Sequence, residues 1–180
     1  MALPPEQRAY LRDGREVRIR PIRPDDASRL REFHDRLSTN TARLRFFTPL
    51  KHLSRDFAER LATVDFEKRC AFVISPLDSD TIHAVGRYEA ETRRSAEVAF
   101  VVEDSFQGLG IGVLLLDRLV DHAREIGYTR FSAVALCENS QMLTLFRESP
   151  YQADIHVERD LAFIRLDIRP EPAFEPAVAG

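Results

Sequence analysis

Tryptophan is absent, and cysteine, methionine and lysine each occur only twice among the 180 residues. Cys70 and Cys137 lie far apart, each in an apolar, strand-like stretch. That excludes a disulfide framework or a cysteine metal pair, and leaves buried free thiols suited to a reducing compartment. No apolar run reaches the roughly 18 residues that cross a bilayer, and the N-terminus lacks a signal-peptide core. A cytoplasmic protein with no membrane partner is therefore expected. A surplus of positive charge is also missing: the formal net charge of −3 excludes a general nucleic-acid binder. The predominance of arginine over lysine reads as codon usage rather than as recognition of acidic groups. The five histidines, at 34, 52, 83, 122 and 156, show no ligand spacing, so no metal is expected. No Gly-x-Ser-x-Gly elbow is present for serine catalysis.

What is there is ordinary for a globular chain: 44% apolar and 31% charged residues, enough length for one domain with a sizeable core. Residues 15–169 read as that domain, 1–14 as a loosely ordered lead-in and 170–180 as a flexible tail. Alternation over Glu16 to Ile22 predicts a strand. Pro24-Asp25-Asp26 opens a helix with an apolar stripe at Leu30, Phe33 and Leu37. Ser38 or Thr39 and then Ser54 cap two more helices. The period shifts to two at Cys70–Leu77 and Thr81–Ala90, a hairpin leading into a third strand from Ser95. A long helix runs from Ile111 to Ile126 with Gly127 closing it. A strand over Phe131–Cys137, a helix over Asn139–Glu148 and a hairpin formed by Ala153–Val157 and Leu161–Ile168 complete the chain.

Glycine is scarce, seven in all, yet three fall at alternate positions of one stretch. Ala96 to Val102 is a strand, Glu103-Asp104-Ser105-Phe106-Gln107 is polar, and Gly108-Leu109-Gly110-Ile111-Gly112-Val113 opens the long helix. A strand, a glycine-rich turn and a helix N-terminus together suit a phosphate, because the first helical N–H groups have no intrahelical partner and the dipole is positive there. The P-loop is excluded, since Val113 and Leu114 follow Gly112 where Lys and Ser/Thr are required. The dinucleotide fingerprint fails at its sixth position, which is Val113.

Gln107, Gly110 and Gly112 match Gln-x-x-Gly-x-Gly, and the chain thereby resembles the GNAT N-acetyltransferase superfamily, whose loop of this form binds the pyrophosphate of acetyl-CoA. The element order agrees from about Val17 to Ile168. The resemblance implies an α/β fold, a mixed, mostly antiparallel sheet of six to seven strands flanked by helices, with a bulge in the strand before the loop. Leu11 to Pro21 and Leu37 to Phe47 further resemble bacterial protein-lysine acetyltransferases that modify acyl-CoA synthetases.

Acetyl transfer to an amine needs a base, because an unperturbed lysine ammonium has a pKa near ~10.4. Glu97, at the head of the apolar strand on the face of Ala99 and Val101, is the candidate; partial burial would raise its pKa toward the useful range. Family members carry their catalytic Glu in a similar stretch. Glu103 is read as a solvated residue near the loop. By resemblance, backbone groups of Phe100, Val101 and Val102 pair with the pantetheine arm, with an N–H near Val102 polarising the thioester. Gln107, Gly108, Leu109, Gly110, Ile111, Gly112 and Val113 hold the pyrophosphate. Asn139, which could equally be a helix N-cap, holds the arm with Met142 and Phe146. The family's usual Tyr is replaced by Phe146, so no general acid is assigned; Ser149 is a possible donor and Tyr151 falls too late. Ser149-Pro150-Tyr151 also replaces the usual Leu-Gly-Phe, and Pro cannot take glycine's left-handed cap. Arg43 and Arg45 read as surface arginines of a helix, with lining of the acceptor side as the alternative. The expected reaction is acetyl transfer to a protein lysine, such as one on an acyl-CoA synthetase, by a monomer or homodimer. A small-amine acetyltransferase and a non-catalytic acyl-CoA sensor are the alternatives.

Overall fold

Residues 3–48 and 50–170 are described by the computed structural model, so the tail expected over 170–180 lies outside the described residues except for Pro170. Eight strands form one sheet in the order β1-β2-β3-β4-β5-β6-β8-β7, two faces of which are covered by helices. The strands are β1 (Gln7–Tyr10), β2 (Glu16–Pro21), β3 (Arg69–Pro76), β4 (Ala84–Ala90), β5 (Ser95–Val102), β6 (Arg130–Leu136), β7 (Gln152–Glu158) and β8 (Leu161–Asp167). The helices are α1 (Ala27–Arg36), α2 (Thr39–Phe46), α3 (Arg55–Ala62), α4 (Ile111–Glu125) and α5 (Ser140–Arg147). The count exceeds the expected six to seven because the segment read as a lead-in contains β1, which pairs antiparallel with β2 from Gln7↔Ile19 to Tyr10↔Glu16. Its four residues carry no alternating apolar pattern, so only pairing defines them.

The two sheet faces follow from the residues of β3, which is buried along almost its whole length. Cys70, Phe72 and Ile74 meet α4 through Leu115, Leu116, Leu119 and Ala123. Ala71 and Val73 face the other way, with Leu30 and Phe33 of α1 and Ala58 and Ala62 of α3. A strand covered on both sides has no polar face, hence its continuous apolar run. Leu115 and Leu119 are fully buried, and each such side chain contributes roughly 2 kcal/mol. Ser38 and Ser54 accept from the amides of Thr41 and Phe57, capping α2 and α3 as expected. At the far end of α4, Tyr128 N–H reaches Ala123 O at 2.9 Å while Gly127 takes a φ of 96°, the left-handed close expected of that glycine.

Two features differ from expectation. β4 starts at Ala84 rather than Thr81. The β4–β5 ladder runs unbroken from Ala84↔Val102 to Ala90↔Ala96, so no bulge interrupts β5 and the side-chain parity of Glu97, Ala99 and Val101 holds.

Candidate active site

The site grows from a fork in the sheet. β5 and β6 are parallel and pair only over Ser95↔Arg130, Ala96↔Phe131 and Glu97↔Ser132. Beyond that point β5 stays with β4, and β6 stays with β8. The amide of Glu103 donates to His83 O at 2.9 Å, on the β4 side. Backbone direction alternates along a strand, so the groups of Val101 also turn to β4 while those of Phe100 and Val102 face the open gap. Of the three expected backbone contacts, Val101 is thus already engaged in the sheet. The gap widens into a cleft of about 510 Å³, walled on one side by Phe100 to Val102 and the glycine turn, and on the other by Glu138 to Met142.

The turn is built as an anion cradle. Gly108 and Gly110 have φ of 76° and 88°, a region that L side chains rarely adopt. Gly112 stands close to α5: a Cβ there would lie 3.2 Å from Leu145 Cδ2. Among the described residues, the amides of Ile111, Gly112 and Val113 have no acceptor, and Leu114 is the first to bond back, to Gly110 O. Arg12, from the β1–β2 turn, lines the same cleft. Its amide donates to Leu109 O at 3.1 Å and its guanidinium reaches Gly108 O at 3.4 Å. Free amides, a helix N-terminus and an exposed guanidinium in one place fit a pyrophosphate. Arg12 was missed by sequence reasoning because it lies outside the motif; its only signal was its place in the Leu11–Pro21 stretch.

Other expected residues serve as supports. The Gln107 side chain is spent inside the protein: Nε2 donates to Val102 O (3.1 Å) and Thr41 Oγ1 (3.2 Å), and Oε1 accepts from Gln141. Leu109 does not line the cleft; it packs on the core and lends its carbonyl to Arg12. Phe146 is fully buried against Phe100, with ring centroids 6.2 Å apart, so it backs the cleft wall instead of touching its contents. Asn139 Oδ1 caps α5 through Met142 N at 3.1 Å, and both residues also line the cleft. Asp104, a carboxylate in the cleft, is tied to α2 by the hydroxyl and amide of Ser38 and by Thr41 Oγ1 at 2.8 Å. Burial opposes its ionisation, but those donors hold its pKa below the ordinary value.

Glu97 occupies the last residue pair before the fork opens, on the sheet face of α1 to α3. It is exposed, so the partial burial expected of it is not found. Glu103 is not solvated: its carboxylate accepts from Arg36 and contacts His83 Nδ1 at 2.9 Å, its side chain 13% exposed. Arg43 bridges to Glu138 across the cleft mouth at 2.7 Å, whereas Arg45 is drawn half-inside and is no simple surface residue. Ser149 Oγ donates to Phe146 O at 2.8 Å, closing α5 where glycine is missing. Tyr151 donates to Asp117 on α4, away from the cleft. Neither is placed to protonate a leaving group at the fork.

The acetyltransferase (GNAT) domain family matches residues 16–149. An acetyltransferase of Pseudomonas aeruginosa is 35% identical over 138 residues, covering 75% of this chain and 74% of that protein. Acetyltransferase Pat of Mycolicibacterium smegmatis is 29% identical over 172 residues, 92% of this chain, which spans 50% of that relative's length. The crystal structure of the GNAT domain of S. lividans PAT superposes with a TM-score of 0.82 at 32% identity, covering 90% of this chain and 96% of that one.

Proposed function

We propose a reaction from one premise: this chain belongs to the GNAT acetyltransferase family and is an acetyl-CoA-dependent acyltransferase. The reaction is transfer of an acetyl group to a protein lysine by direct attack, without an acyl-enzyme. The observation that carries it is the fork, with an unpaired strand edge, an anion cradle at its wide end and a carboxylate at its apex.

Acetyl-CoA supplies a thioester, whose carbonyl is open to an amine. The amides of Ile111 to Val113 and the Arg12 guanidinium grip the pyrophosphate. Exposed backbone groups of Phe100 and Val102 align the pantetheine arm as an added strand pairs with an edge, and an N–H in this stretch polarises the thioester carbonyl. Glu97 takes the ammonium proton, directly or through a water, before the nitrogen attacks. No side chain is assigned to protonate the departing thiolate. The resemblance of Leu11 to Pro21 and Leu37 to Phe47 to protein-lysine acetyltransferases supports a lysine acceptor, and so does the exposure of Glu97, which a protruding side chain can reach.

The test is CoA release from acetyl-CoA with lysine peptides, an acyl-CoA synthetase and polyamines, comparing wild type with Glu97→Gln. Turnover on the protein acceptor that collapses in the variant while acetyl-CoA still binds supports the proposal. Turnover on polyamines alone keeps the mechanism and replaces the acceptor. Tight binding without turnover on any amine makes the chain an acyl-CoA sensor.

A further inference from the structure

A second cavity lies on the Glu97 face of β5, beneath α1, α2 and α3, and its polar groups have no part in the transfer just described. It measures about 40 Å³, room for a few waters or one small planar group. Leu30, Phe33, Leu53 and Val85 give it a mostly apolar wall, against which His34, Arg45 and Arg87 stand out. His34 is 5% exposed, and neither ring nitrogen has a hydrogen-bond partner among the described residues. Arg45 lies over the Phe46 ring at 5.0 Å. Among the described residues, neither Arg45 nor Arg87 makes a side-chain hydrogen bond or an ion pair within 4.0 Å.

The buried His34 nitrogens are costly to leave alone, while the half-buried guanidiniums of Arg45 and Arg87 keep some contact with water. Burial, with the neighbouring charge of Arg87, pushes Arg45 down to about 10 against the pull of Glu97. Burial also lowers Arg87 and His34. Glu97 and its cross-strand partner Glu89 are two residue pairs further along, exposed and outside ion-pair reach. Two unpaired guanidiniums held against an apolar wall attract an anion, and a guanidinium fork matches a carboxylate in shape and charge. Arg45 and Val101 line this cavity and the cofactor cleft alike, so the two spaces meet at β5 next to the fork.

We infer that this cavity is a carboxylate-binding subsite of the reaction centre, with Arg45 and Arg87 as its clamp and His34 as an additional donor. The inference rests on the transferase reading above. The chemistry of the transfer is unchanged: the ammonium gives one proton to Glu97, the amide C–N bond forms as the thioester C–S bond breaks, and the departing CoA thiolate takes up the second nitrogen proton by way of solvent. The carboxylate arrives from one of two sources. It is the far end of a dicarboxylic acyl group such as succinyl, or it belongs to the acceptor, beside the reacting amine.

Isothermal calorimetry on the full chain distinguishes the sources and needs no turnover. One arm compares succinyl-CoA with propionyl-CoA. The other, with CoA bound, compares a lysine peptide flanked by aspartate with its asparagine counterpart. The expected result is a preference of at least tenfold for the carboxylate in one arm. That ratio falls tenfold or more in Arg87→Gln and in Arg45→Gln, and is partly restored in Arg87→Lys. Thermal unfolding reports whether each variant is folded, and loss of an unpaired, half-buried cation is expected to leave Tm unchanged or raised. Equal affinity for both ligands in both arms overturns the subsite, as does a ratio that survives both substitutions in folded protein. Binding with the expected ratio but no transfer to any amine overturns the transferase reading alone.

Discussion

Glu97 and Gly110 make opposite demands on the chain, one chemical and one conformational, and each can be removed singly. Glu97→Gln keeps size and polarity but cannot accept a proton, so kcat is expected to fall by about 10²-fold or more, while acetyl-CoA binding is retained. A steady-state assay paired with calorimetry checks both halves. Gly110→Ala meets a φ of 88° at the N-cap of α4, a strain of order 1 kcal/mol, beside Arg12 atoms 3.6 Å away. The expected outcome is a raised KM for acetyl-CoA with a smaller change in kcat. Arg12→Gln should also weaken acetyl-CoA, and more so at low than at high ionic strength, because it removes a charge rather than a shape. The glycines were legible because spacing alone marks a turn before a helix. Arg12 was not, since its position depends on β1, four residues with no pattern of their own.

Among elements, α2 shows how a motif residue can be identified correctly and its role misplaced. Gln107 belongs to the phosphate signature, yet its amide group joins Thr41 of α2, Val102 of β5 and Gln141 of α5. Asp104 pins the start of the same helix through Ser38 and Thr41. α2 has little amphipathic pattern to hold it, with only Thr41 and Ala42 buried, so these polar ties set its position over the cleft. Gln107→Ala is therefore expected to speed amide hydrogen exchange in residues 39–46 and 140–147 by at least tenfold, and to raise KM for acetyl-CoA. If exchange is unchanged, Gln107 is not the tie between the cleft walls. The caps at Ser38 and Ser54 and the period of α4 were legible because they are local. The unbroken β5, the burial of Phe146 and the engagement of Glu103 by Arg36 and His83 are long-range facts that no local window holds.

For the molecule as a whole, the acid limit of stability is set in large part far from the fork. Arg20 of β2 and Asp26, before α1, are both fully buried and joined by two short contacts, Nη1 to Oδ2 at 2.7 Å and Nη2 to Oδ1 at 2.8 Å. Asp26 also accepts from the Arg23 amide at 2.9 Å, which fixes the turn that leads the chain from sheet to helix. Burial works against its ionisation, but the bonds from Arg20 and Arg23 and the charges of Arg20 and Arg29 hold its folded pKa below 3.8. A depressed carboxylate stabilises the fold above its unfolded pKa, near ~3.9, and that contribution disappears as pH falls through the lower folded value. Wild type should therefore hold its urea midpoint down to about pH 5 and lose stability steeply below pH 4. Asp65 and Asp104 are depressed as well and add to the same slope. Asp26→Asn leaves the buried Arg20 charge with only the half-exposed Asp80, 3.6 Å from Nε, a cost of about 3 kcal/mol at neutral pH. The same substitution removes one proton-linked group, so the variant's stability should decline less steeply between pH 5 and pH 3. Urea titrations across that range separate the two effects. A variant that is weaker at pH 7 but keeps the full acid slope assigns the acid loss to Asp65 and Asp104 instead, and leaves the Arg20–Asp26 pair as an anchor whose charge state is constant.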